Sequence, residues 1–146
     1  MSDFASVYGG MLWAIREWAQ WDAMVAKLQA EADDGWYVYF VGQDLPQATL
    51  SSTAFRRVLA EIDILLHHDH RERYLGIVYV DDRERPSLIK IYDPNNLGAS
   101  CGSSGSQVPP GWILSRMRPE LLPGPKIIPE GRLRWWRELF HGQRGV

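Results

Sequence analysis

Apolar positions recur along this chain with two alternating periods. From residue 11 to 32 the large apolar residues Met11, Ile15, Trp18, Trp21, Val25 and Leu28 fall at helical spacing. Gly9-Gly10 breaks the chain before them and Asp33-Asp34-Gly35 after them, so one helix is predicted over 11–32. Trp13 and Met24 lie off its stripe and are expected to be exposed or to touch another element. Residues 36–41 are aromatic and β-branched on both faces, which predicts an interior strand. The clearest element spans 51–68: Phe55, Val58, Leu59, Ile62, Leu65 and Leu66 follow the i, i+3, i+4, i+7 pattern. The Ser51 or Ser52 hydroxyl is placed to cap it. Residues 74–80 and 87–92 read as strands around the charged turn 81–86, hence an antiparallel hairpin. Lys90 between Ile89 and Ile91 turns one face of the latter strand toward water.

Residues 93–110 form a long Gly/Ser-rich loop, and 112–115 a short fourth strand. A Pro-rich link over 119–129 precedes a C-terminal helix over 130–141, with Pro129 suited to its start. The order α-β-α-β-β-β-α predicts an α+β fold in one domain, 1–146. Its sheet would be mixed, mostly antiparallel and of about four strands, with two longer helices and the short C-terminal helix mainly on one face.

Composition narrows the class. A chain of 146 residues, 45% hydrophobic and 23% charged, has a globular domain's balance. Cys101 is the sole cysteine, so no internal disulfide forms. The N-terminus lacks a signal-peptide pattern, and no apolar run nears the roughly 20 residues of a membrane helix. A cytoplasmic, non-membrane protein is expected. Charge is uneven: from Arg116 onward seven basic residues face three acids, whereas the rest holds nine against fifteen. Seven tryptophans hint at a partner surface.

The stretch 93–107 is the least ordinary. Cys101 is a candidate nucleophile if a base lowers its pKa, with His68 the assigned partner among His67, His68, His70 and His141. The phosphatase pattern, with Arg six residues after Cys, fails at Gln107. Asp93, Asn95, Asn96, Gly102, Ser103 and Ser104 form a candidate anion or ligand loop. A Walker loop is excluded, because no lysine lies between Lys90 and Lys126. A calcium loop fails at Leu97 and Ser104, and Asx turns account better for Asp93-Pro94 and Asn95-Asn96. His67 and His70 share a helical spacing but lack a third zinc ligand, so no metal or cofactor is assigned. Near a helix C-terminus they also complement the dipole.

The segment Arg132–Phe140 interleaves basic and aromatic residues. Trp135, Trp136, Arg134 and Arg137 either meet a protein partner or pack on the protein's own sheet. An acidic body argues against nucleic acid. The reading that results is a small accessory or adaptor protein acting by protein–protein binding, with a homodimer open and no catalytic set complete. The alternative is a small thiol-dependent enzyme or anion-binding protein centred on Cys101.

Overall fold

The helix expected over 11–32 is two elements in the computed structural model, which describes residues 3–97, 108–123 and 126–144, the side chains of the last four excepted. Trp13–Ile15 is a strand, β1, and the helix α2 runs only over Trp18–Ala30. Glu17 is extended at the boundary, and the Gln20 side chain accepts from its backbone N–H at 3.0 Å, which starts the helix there. Met11 drops out of the stripe and is 75% exposed, whereas Met24 is buried.

A six-residue helix, α1 (Asp3–Tyr8), precedes β1. After α2 come β2 (Tyr37–Phe40), α3 (Ser52–Asp69), β3 (Val78–Val80), β4 (Leu88–Ile91), a 3-10 turn (Pro94–Asn96), β5 (Trp112–Ser115) and α4 (Arg132–Arg144). The fold is α+β, as expected. Its sheet has five strands among the described residues, in the order β1-β3-β4-β5-β2, and every pairing is antiparallel. The predicted hairpin is present, with Val78 opposite Ile91 and Val80 opposite Ile89.

Among the described residues β2 lies at a sheet edge, beside β5, and not in the interior. Its apolar pattern reports layers above and below, not lateral neighbours. Val38 and Phe40 enter the main core under the helices, while Tyr39 and Val41 join a smaller cluster with Phe4 and Leu122 on the opposite face. α3 crosses from β2 to β3 over two intervening strands, which leaves β2 antiparallel to β5.

α3 anchors the main core. Ser51 Oγ accepts from Ala54 N–H at 3.1 Å. Phe55, Val58, Leu59, Ile62 and Leu66 are fully buried, each worth about 1.5–3 kcal/mol of apolar transfer. The face of β4 expected to meet water is partly covered. The Lys90 ammonium sits 4.7 Å from the Tyr8 ring of α1, with Tyr79 and Tyr92 within 6 Å. Burial lowers the Lys90 pKa, and burial, with help from neighbouring tyrosines, pushes Tyr8 up to about 12. No described helix is long and apolar enough to cross a membrane.

Candidate functional site

Two places gather polar side chains unusually. The first lies where β4 ends. Asp93, 2% exposed, accepts from Asn95 N–H at 2.8 Å, the Asx turn read from sequence. Arg132 at the start of α4 forks onto the same carboxylate, with Nε–Oδ2 at 2.8 Å and Nη2–Oδ1 at 3.1 Å. Its Nη2 also reaches Asp69 Oδ2 at 2.5 Å, and His68 Nδ1–H donates to Asp69 Oδ1 at 2.6 Å. Burial opposes charge on Asp69 and Arg132. The hydrogen bonds among them outweigh it, holding the Asp69 carboxyl below its usual range and the Arg132 guanidinium above. Gly111 lets the chain pass close to this cluster, since a Cβ on it would lie a tight 3.1 Å from the Asp93 Cβ.

This cluster accounts for several residues singled out by sequence. Asp93 faces its own arginine and offers no donor to an anion. Asn95 is exposed, and Asn96 Nδ2 donates to the Ile127 carbonyl at 3.3 Å. Cys101, Gly102, Ser103 and Ser104 lie outside the described residues, as does the His141 side chain. His67 and His70 diverge. His70 is buried and donates Nε2–H to the Leu75 carbonyl at 2.8 Å, while His67 approaches Asp22 and Asp63. On α4 the rings turn inward: Trp135 meets Trp112 edge-on at 5.5 Å and Trp136 lies 5.0 Å from Phe40. Arg134 and Arg137 point to solvent.

The second place is a groove of about 460 Å³ between α2 and the 81–87 turn. Met24, Leu28, Trp36 and Pro86 supply apolar walls. Lys27, Arg83, Arg85 and Arg116 outnumber Glu31 and Glu84 around it. Trp36 stacks on Phe55 with centroids 5.3 Å apart, and the Arg116 guanidinium lies 4.4 Å from the Trp36 ring. Asp33 holds Arg116 at 2.6 Å, and that hydrogen bond, then the Gly35 amide, lowers the Asp33 pKa. A Cβ at position 35 would come within 2.5 Å of Arg116 Nη1, so glycine lets the arginine lie flat.

The turn is pinned by two aspartates. Asp82 accepts from the Glu84 and Arg85 amides, and Asp81 from those of Ser87 and Leu88. Arg83 reaches back over Trp13 at 5.1 Å and donates to the Ala14 carbonyl at 3.4 Å. Two smaller hollows, about 380 and 260 Å³, adjoin through Arg83. Trp13, 46% exposed, marks the far end. Sequence reading left Arg83, Arg85 and Arg116 as a charged turn and a charge count. The available signal was the alternation of arginine with acid before Pro86, together with Trp13 off the helical stripe. Comparison with family models, with curated proteins and with solved structures finds no match.

Proposed function

We propose that this protein is a non-enzymatic binding protein that holds an acidic, apolar-anchored segment of a protein partner along the line from Trp13 to Trp36. The observation that carries this is a pair of arginines lining the groove and held on tryptophan rings: Arg83 on Trp13, which lines the adjoining hollow, and Arg116 on the buried Trp36. Tryptophan and arginine dominate binding energetics where they are held rigid. Here the Asp81 and Asp82 turns and the Asp33 ion pair do the holding. Four basic against two acidic lining residues favour an acidic guest, with Arg116 already paired to Asp33. The lone thiol supports a cytosolic setting. A second copy of this chain is one guest that the reading admits.

A partner captured from cell extract by the wild-type chain is expected to be lost on Arg83→Glu/Arg85→Glu and retained on Arg134→Glu/Arg137→Glu. Truncating Arg83 alone is expected to weaken the measured affinity by about 2 kcal/mol, roughly thirtyfold. Retention by the first variant and loss by the second would move recognition to α4 and overturn the groove.

One observation favours a second reading, a thiol-dependent enzyme. Asp69 fixes His68 through Nδ1, which leaves Nε2 to serve as a base. Alkylation of Cys101 by iodoacetamide near pH 7 is then expected to slow at least tenfold in His68→Gln. Equal rates in the two proteins remove this reading.

A further inference from the structure

We propose that Asp22 of α2 with Asp63 and His67 of α3 forms a divalent-metal site, zinc by preference, that joins the two helices. Both carboxylate oxygens converge on one nitrogen: Asp22 Oδ1 and Asp63 Oδ1 each lie 3.3 Å from His67 Nε2. All three donor atoms fall within 4.8 Å of one another. His67 Nε2 is thus within hydrogen-bond reach of both oxygens, and either a shared N–H or a metal ion fits between them. An N–H divided between two oxygens makes two long, weakened hydrogen bonds, whereas a charge-assisted N–H···O contact to one oxygen closes to about 2.7–2.9 Å. Ligands around tetrahedral zinc, with bonds of about 2.0–2.1 Å, stand roughly 3.3–3.4 Å apart.

The surroundings orient the donors as a metal site requires. Trp21, fully buried, donates Nε1–H to Asp63 Oδ1 at 2.7 Å, and Trp18 stacks on the His67 ring at 4.4 Å. Asp63 and His67 are i, i+4 on α3, so helix geometry presents them together, and α2 brings Asp22 across. The Asp22 and His67 side chains are about half exposed, which leaves a fourth position open to water. One nitrogen and two carboxylate oxygens suit zinc better than magnesium or calcium, which prefer all-oxygen sets.

The test titrates zinc sulfate into the full chain by calorimetry, with wild type, Asp22→Asn, His67→Ala and Cys101→Ser compared. One equivalent is expected to bind wild type and Cys101→Ser alike, with at least tenfold weaker binding in Asp22→Asn and His67→Ala. Zinc is also expected to raise the Tm of wild type and not of Asp22→Asn. Asp22 is exposed, so its variant keeps the fold and reads the site cleanly. No heat at micromolar zinc overturns the proposal. So does binding that survives Asp22→Asn or disappears in Cys101→Ser.

Discussion

Arg132→Met is expected to destabilise the protein by about 3–5 kcal/mol, read as a lower urea midpoint with an unchanged m-value. The substitution roughly preserves the length of the side chain and removes the only cation bridging Asp69 and Asp93 among the described contacts. Asp93 is left buried and charged without a counter-ion, and its desolvation penalty falls on the folded state alone. Arg132→Lys is expected to rescue little, because an ammonium cannot reproduce the fork across both Asp93 oxygens while reaching Asp69. Joint replacement of Asp69 and Asp93 by Asn in the Arg132→Met background is expected to recover part of the loss.

The same contacts set a pH dependence. The folded-state pKa of Asp69 is depressed, so its contribution is present above the unfolded value of about 3.9 and is lost as pH falls through the folded one. Acid is therefore expected to destabilise wild type more steeply than Arg132→Met. A loss of stability in the Met variant below about 1 kcal/mol, the midpoint shift multiplied by m, would show that Arg132 is not the counter-ion holding α4 to α3 and β4.

Phe55→Ala is expected to cost about 3–5 kcal/mol, the range for emptying a fully buried phenylalanine site. Its ring is nearly parallel to that of Trp36, with 7° between the planes, and Trp36 is the platform for Arg116. The cavity thus opens directly behind the groove. Partner binding measured well below the variant's unfolding temperature is expected to weaken as well, because Trp36 loses its backing. A core variant remote from the groove, Ile91→Val, provides the contrast and is expected to cost only about 0.5–1.5 kcal/mol without changing affinity. Equal affinity in Phe55→Ala and wild type would separate the groove from the core beneath it.

What the sequence disclosed follows physical range. α3 was legible because its apolar period runs unbroken from Phe55 to Leu66 and starts at a serine that caps it. The β3–β4 hairpin was legible because its partners are close in sequence. Residues 11–17 were misread because Met11, Ile15 and Trp18 happen to stand four and three apart. A three-residue strand has too few positions to overrule that coincidence, and the Glu17–Gln20 cap was the weaker but truer signal. The edge placement of β2 was hidden because alternation reveals what lies above and below a strand, never what lies beside it. Asp93 was recognisable as a turn residue, but its partner is 39 residues away, where local spacing carries no information. The groove draws Lys27, Trp36, Arg83 and Arg116 from four separate segments, so only the folded chain assembles it.

The Arg83 guanidinium carries one more consequence. β1 is three residues long and has no strand on its outer side among the described residues, yet its Ala14 carbonyl is already engaged by Arg83. That plug keeps the margin of the sheet from templating stray chains. On the proposed function, an acidic guest that recruits Arg83 would withdraw the plug, so occupancy of the groove and adhesiveness of the sheet's rim are expected to rise together.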